Sequence, residues 1–383
     1  MSTPYPDRPP LNSLGYLDDI FRSMAARSPF ALRYLNEEWT DHAVWRNQAL
    51  TWVKEHLCFN PGPIGLKPTV EKRLEESTYI LEKVAFNSSP ELRVPAYLLI
   101  PKSDRPVPVI ILMHDMGSLS LWGKEKMLAL PNENPILTSH RQENYEGVSL
   151  AHRLVEQGYA VIITDSFTFG ERTCPPPGVT LEQLIKERDT YSAAEVEAYM
   201  RQLGSQRELA QRHLLLVGAT WAGVTAWDDI RTVDYLFTRP EIDTDRIGCM
   251  GLSLGGFRTN LLLALDERVK VGVSVGWMTT FASLIGYNVR GAVGYFSQVP
   301  GMYNQMDLPD FMALCIPRAL QVMLGRQDPL FQPSGMHAAV NTIAAAYEKA
   351  GCPEKFRAVM GDHPHEFNRA MQEQAISWIE RWI

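Results

Sequence analysis

Ser253 stands in Gly251-Leu252-Ser253-Leu254-Gly255-Gly256, a G-x-S-x-G turn between the strand-like run Ile247 to Met250 and a following apolar, helix-like stretch. A serine so placed suits nucleophilic catalysis. Its hydroxyl must project from a tight strand-to-helix turn, where side chains at the flanking positions would strike the strand and helix. The same turn aims the N–H of Leu254 at a developing oxyanion. The bare pattern is common, and its context selects it.

A nucleophilic serine needs a base, and the base needs an orienting carboxylate. For this kind of turn the chain order is serine, acid, histidine. Gly325-Arg326-Gln327-Asp328-Pro329-Leu330 follows the apolar run Ala319 to Leu324, and Gly361-Asp362-His363-Pro364-His365-Glu366-Phe367 follows Phe356 to Met360. Asp328 is therefore the candidate acid and His365 the candidate base. His363 competes for that role but is pinned before a proline. Asp362 lies too near the histidines in sequence to orient one of them from the far side. As metal ligands, Asp362, His363 and His365 lack a supporting cluster at metal spacing, so no metal is expected.

The second oxyanion donor belongs to the loop after the third strand, His114-Asp115-Met116-Gly117-Ser118. The N–H of Met116 is the candidate by position. His114 reads as a structural histidine bracing that loop, and His42, His56, His140 and His213 have no catalytic context. Trp122, Trp277, Tyr287 and Phe296 are candidate walls of a substrate pocket, although an aromatic ring more often packs in a core.

Such residues need a scaffold. Tyr79 to Phe86, Leu92 to Ile100, Val107 to Met113, Ala160 to Thr164, Ile247 to Met250, Val269 to Val275, Ala319 to Leu324 and Phe356 to Met360 read as strands. They alternate with helical segments, including about 149–157 and one from about Glu366 to the end. That rhythm predicts an α/β fold with a mostly parallel central sheet covered by helices on both faces. Ligands in such sheets sit beyond the carboxyl ends of the strands. Residues 13–57 have helical spacing, and Asn60-Pro61-Gly62-Pro63-Ile64-Gly65 reads as a linker. The expected division is an N-terminal helical extension over 1–65 and a catalytic domain over 66–383. Polar, helix-prone residues at about 171–212 and an aromatic stretch at about 278–314 read as insertions near the active site.

The chain has 383 residues, a formal net charge of −7 and no block of like charges. These features argue against nucleic acid or an anionic membrane as partner. No apolar run of about 18 residues is present to span a membrane. Met1 to Pro6 lacks a basic segment followed by an apolar one, so no signal peptide is expected. Five scattered cysteines without ligand spacing read as buried thiols of a reducing compartment, with cytoplasmic location the expectation. Oligomeric state is not legible.

Several segments together resemble the acetyl xylan esterase and dienelactone-hydrolase-related branch of the α/β-hydrolases, from about Glu82 to Ile383. They are His114-Asp115-Met116-Gly117 with Gly123-Lys124-Glu125-Lys126, then Asp165 with Phe169-Gly170-Glu171-Arg172. Trp227-Asp228-Asp229-Ile230-Arg231 through Arg239-Pro240-Glu241-Ile242-Asp243 leads on to Ser253, followed by Leu324 to Phe331 and Pro364-His365-Glu366-Phe367-Asn368. The resemblance implies an α/β-hydrolase fold and hydrolysis of a carboxylic ester through an acyl-enzyme intermediate, with no cofactor. Two departures stand out. Many relatives have His-Gly where this chain has His114-Asp115, and dienelactone hydrolases proper use cysteine where Ser253 stands.

The expected substrate is a small-molecule ester, short-acyl or carbohydrate-linked. A serine peptidase of the prolyl oligopeptidase type shares the serine turn, but fewer than about 90 residues precede the core here, where such enzymes usually carry a propeller. Acyl transfer to an acceptor other than water would use the same residues. A catalytically dead receptor or scaffold is disfavoured because all three triad members are present in order.

Overall fold

A computed structural model of the chain describes residues 6–62 and 64–383. The sequence reading of Met1 to Tyr5, and Pro63 of the linker, lie outside the described residues. Among the described residues nine strands form one sheet: β1 (Thr69–Glu75), β2 (Tyr79–Asn87), β3 (Arg93–Pro101), β4 (Val107–Met113), β5 (Ala160–Thr164), β6 (Ile242–Leu252), β7 (Val269–Val275), β8 (Ala319–Gly325) and β9 (Phe356–Gly361). Their spatial order is β1-β2-β3-β5-β4-β6-β7-β8-β9. The first three and the β3–β5 pair run antiparallel, and every pair from β5 through β4 to β9 is parallel. This is the α/β architecture that the alternation of strands and helices predicts.

The helices are α1 (Tyr16–Ala25), α2 (His42–His56), α3 (Pro135–Tyr145), α4 (Leu150–Glu156), α5 (Leu181–Glu187), α6 (Ala193–Leu216), α7 (Trp221–Leu236) and α8 (Leu254–Leu265). Three short ones follow, α9 (Val289–Ala292), α10 (Met302–Gln305) and α11 (Leu308–Phe311), and then α12 (Pro333–Lys349) and α13 (Arg369–Trp382). Side chains of a strand alternate between faces, and β4 shows the consequence. Val109, Ile111 and Met113 pack with α2, α7, α8 and α12 on one side, while Ile110 and Leu112 pack with α4 and α13 on the other. Burying each such side chain contributes about 1.5–3 kcal/mol, so a strand apolar on both faces has little freedom to lie elsewhere.

The chain leaves β4 for β5 on one side and later returns to β6 on the other. A parallel sheet opens a crevice at such a reversal, beyond the carboxyl ends of the two strands. Here those ends are Met113 and Leu252, which are followed by the loop starting at His114 and by Ser253.

Four expectations need correction. Thr69–Glu75 forms an edge strand that was not foreseen, because its charged residues leave no apolar face to read. The N-terminal helical stretch is two helices, α1 and α2, separated by irregular chain around Ser28-Pro29, since a proline bars its predecessor from helical geometry. The last helix begins at Arg369 rather than near Glu366. Asn368 caps it by accepting the N–H of Met371, and the preceding turn is held open where the N–H of Phe367 donates to the Asn144 carbonyl. Finally, Cys249, Cys315 and Cys352 are buried as expected, but Cys58 is exposed and Cys174 only partly covered.

The 171–212 segment folds as α5 and most of α6. Leu184, Val196 and Leu203 pack on Leu119, Leu121, Trp122 and Leu137, laying this segment over the loop after β4. The 278–314 segment carries α9 to α11 and is clasped by the N-terminal segment. The N–H groups of Leu11 and Asn12 donate to the Tyr287 carbonyl, and Arg33 Nε lies 3.0 Å from both carboxylate oxygens of Asp310. Among the described residues no helix is long and apolar enough to cross a membrane.

Candidate active site

Ser253 occupies the turn between β6 and α8 with φ 59° and ψ −117°, the left-handed half of backbone space that a non-glycine residue enters only under constraint. The constraint is close packing. A Cβ at Gly255 would lie 2.1 Å from the Met113 carbonyl oxygen, and one at Gly251 2.5 Å from the same atom. Glycine at both positions lets the turn press against the end of β4. The Ser253 N–H donates to the Val275 carbonyl at 2.8 Å, tying the turn to the end of β7.

Asp328 lies in the loop after β8, and His365 in the loop after β9. His365 Nδ1 sits 2.6 Å from Asp328 Oδ2, with the carboxylate side chain 1% exposed and the imidazole 22%. Asp328 Oδ1 accepts the N–H of Leu330 at 2.9 Å, which fixes the carboxylate plane. With Nδ1 committed to Asp328, Nε2 is the imidazole nitrogen left for a hydroxyl. The ring lies over Gly276, where a Cβ would come within 2.9 Å of Cε1. Gly276 directly follows Val275, the residue that holds the Ser253 N–H, so the serine turn and the imidazole are both anchored at the end of β7. The His363 ring turns instead to the Pro364 carbonyl, 2.9 Å from Nδ1.

The loop after β4 is bound from below. Lys126, fully buried, donates from Nζ to the carbonyls of Asp115 at 2.9 Å and Met116 at 2.7 Å. His114 Nδ1 lies 2.8 Å from the Asp115 carbonyl and its Nε2 accepts the N–H of Ser166 at 3.1 Å. That pairing makes His114 a neutral brace, and burial, with Lys126 and Arg258 nearby, holds its pKa well below the usual range. The Asp115 carboxylate is held by α3. Its Oδ2 accepts from the Tyr145 hydroxyl at 2.5 Å and lies 3.1 Å from His140 Nε2, both on α3. Burial opposes this charge, but His140 and Lys126 outweigh it and keep the carboxyl ionised. Burial also pushes Lys126 down to about 8, partly offset by Asp115. A Cβ at Gly117 would strike His140 Cε1 at 2.3 Å, so the loop needs glycine there as well. Among the described residues neither the Met116 N–H nor the Leu254 N–H meets an acceptor.

The four aromatic candidates are all buried. Trp122 packs in the Leu121–Leu137 cluster with its Nε1 donating to Asp189 at 2.9 Å. Tyr287 donates its hydroxyl to the Pro329 carbonyl at 2.8 Å and so braces the loop carrying Asp328. Trp277 and Phe296 form an edge-on cluster with Phe257 and Phe331. Nearby, Glu125, Asp165 and Glu171 converge as a metal site might. Their centre is filled by Lys124 Nζ, at 3.0, 2.6 and 2.5 Å from the three carboxylates, and Arg188 on Glu125 and Lys83 on Glu171 supply the remaining positive charge.

Sequence reading missed two groups. Lys126 was visible only as part of a family-like string. Arg8 gave no local signal. Its guanidinium donates to the carbonyls of Arg326 at 2.5 Å, Asp328 at 2.7 Å and Phe331 at 2.6 Å, binding the acid loop to the N-terminal segment.

Comparisons with known proteins agree with this architecture. The model of the Abhydrolase family matches residues 6–378. The Bacillus subtilis (strain 168) protein named "Putative hydrolase YtaP" is 22% identical over 322 residues, covering 84% of this chain and 93% of that protein. A "putative acetyl xylan esterase" from Bacteroides fragilis NCTC 9343 superimposes with a TM-score of 0.67 at 18% identity, covering 91% of this chain and 83% of the other. A glucuronoyl esterase from Teredinibacter turnerae gives a TM-score of 0.60 at 17% identity, with 93% and 90% covered. At these identities the structural likeness is one of fold.

Proposed function

The chain belongs to the Abhydrolase family of α/β-hydrolases, and from that premise we propose that it is a serine carboxylic-ester hydrolase working through an acyl-enzyme. The observation that carries this reading is the 2.6 Å bond from His365 to Asp328, formed beside the strained Ser253 turn. Ser253 Oγ attacks the ester carbonyl carbon while His365 Nε2 takes its proton, and Asp328 holds the imidazole and stabilises the cation. The tetrahedral oxyanion is received by the N–H groups of Leu254 and Met116. Collapse expels the alcohol, protonated by His365, and leaves the acyl group on Ser253. Water, deprotonated by the same histidine, then releases the acid. Nothing in this cycle calls on a metal or cofactor.

The substrate is a short-acyl or carbohydrate-linked ester. Support comes from the structural neighbours, which are named for acetyl xylan and glucuronoyl esters. The test is initial rates on p-nitrophenyl acetate, butyrate and octanoate with the wild type and Ser253→Ala. Hydrolysis that falls with chain length and vanishes in the variant is expected. Activity surviving in Ser253→Ala overturns the mechanism, and a preference for octanoate overturns the substrate class.

A further inference from the structure

Arg207 stands on α6, on the segment that covers the loop after β4. Its guanidinium carbon is 5.3 Å from the centre of the Phe169 ring, the ring that Lys126 Nζ also approaches, at 5.2 Å. Arg201, one and a half turns earlier on the same helix, is satisfied by Glu197 at 2.5 Å. Among the described residues no carboxylate or carbonyl accepts from Arg207. The residue is partly covered rather than free in solvent. Burial pulls its pKa down, with Cys174 and Tyr295 offsetting part of that pull. An arginine keeps its proton under such conditions. The helix therefore holds a partly desolvated cation whose five donors the protein does not use.

Arg207 lines a cavity of about 460 Å³ together with Met116, Ser118 and Leu119 of the loop after β4 and with Val196, Glu197 and Arg201 of α6. Met116 carries the N–H assigned above to the oxyanion. One wall of the cavity is thus the loop after β4, and α6 supplies another, where Glu197 is paired with Arg201 and Arg207 is left over. A cavity bounded by the loop assigned above to the oxyanion and by a cation without an acceptor is suited to select a substrate by charge. The matching group is a planar anion, which a guanidinium binds through two parallel hydrogen bonds.

We propose that Arg207 forms an anion subsite receiving a carboxylate carried by the ester substrate, at a distance from the scissile carbonyl. This rests on the serine-esterase reading above. A purely structural role would be limited to the stacking on Phe169, which a neutral substrate would not sense.

The experiment compares p-nitrophenyl hexanoate with the mono-p-nitrophenyl ester of adipic acid, equal in chain length and differing by one terminal carboxylate. The full chain is assayed as wild type, Arg207→Gln and Arg207→Lys. In the wild type kcat/KM should favour the adipate ester about tenfold or more, mainly through KM, and added salt should shrink that ratio. In Arg207→Gln the ratio should fall to about one, with Arg207→Lys in between. Equal ratios in wild type and Arg207→Gln overturn the subsite while leaving the esterase intact. Silence of the folded wild type on both esters overturns the esterase reading and the subsite with it. Should Arg207→Gln not fold, free adipate must still inhibit wild-type hydrolysis of the hexanoate ester more strongly than neutral adipamide does, and equal inhibition overturns the proposal.

Discussion

Lys126 Nζ lies 2.9 Å from the carbonyl oxygen of Asp115 and holds it toward the interior. Because the peptide between Asp115 and Met116 is planar and trans, its N–H points opposite to that carbonyl. The lysine therefore sets the direction of the Met116 N–H without touching substrate. Lys126→Met removes the anchor and frees the peptide to rotate. Losing one oxyanion donor costs about 10²–10³-fold in kcat, so a loosened one should cost about ten- to a hundredfold, with KM changed by less than about twofold. Steady-state kinetics on a p-nitrophenyl ester check this, and unchanged kcat in the folded variant contradicts it.

The Asp328–His365 bond makes a second prediction, sharpened by the neighbouring His363. Asp328→Asn should lower kcat by about 10³–10⁴-fold, because the amide favours the wrong imidazole tautomer. His363→Ala should stay within about threefold of wild type, since its ring is turned to the Pro364 carbonyl. A large loss in His363→Ala with activity retained in His365→Ala would exchange their roles.

Arg8 ties the acid loop to the N-terminal segment through three carbonyls. Asp7 continues the tie, its carboxylate accepting from the N–H of Ser334 at 3.0 Å and from its hydroxyl at 2.6 Å. Arg8→Ala should lower kcat several-fold and Tm by about 2–4 °C, the shift expected for about 1 kcal/mol in a sizeable domain. Thermal denaturation and kinetics read both effects. A wild-type Tm together with wild-type kcat would show that the tie has no functional weight.

The proposed triad could be picked out because each member follows a strand whose apolar run is itself legible. Strand ends converge in a parallel sheet, so chain order and spacing place Ser253, Asp328 and His365 after β6, β8 and β9 at one edge of the sheet. The supports could not. Arg8 acts across more than 300 residues of chain on carbonyl oxygens, which leave no mark on residue type. Asp115 read as a departure from the family, yet one oxygen of its carboxylate is taken up by His140 and Tyr145 of α3. Strand β1 was illegible because an exposed edge has no core to face.

Asp307 supplies a pH-dependent test of the clasp on the 278–314 segment. Burial pushes its carboxyl up to about 6, although the N–H groups of Phe281 and Leu308 both donate to it. A carboxyl whose pKa is raised on folding holds its proton more tightly in the folded state. Its contribution therefore declines as pH rises from about 4 to 6 and stays low above. Asp307→Asn keeps an oxygen for both N–H donors and removes the charge. The variant should be more stable than wild type at pH 7.5 by about 1–3 kcal/mol, with the advantage shrinking toward pH 4. Urea denaturation at the two pH values checks this, and an advantage that does not change with pH contradicts it.

The most direct test of the central claim is covalent. A fluorophosphonate should react with the wild type at one site, phosphonylating Ser253 Oγ with loss of fluoride, and esterase activity should fall in proportion to the fraction labelled. Peptide mass spectrometry should place the adduct on the peptide containing Ser253, and Ser253→Ala should take no label. Full activity with Ser253 labelled, or labelling elsewhere that abolishes activity, would contradict the assignment of Ser253 as the nucleophile.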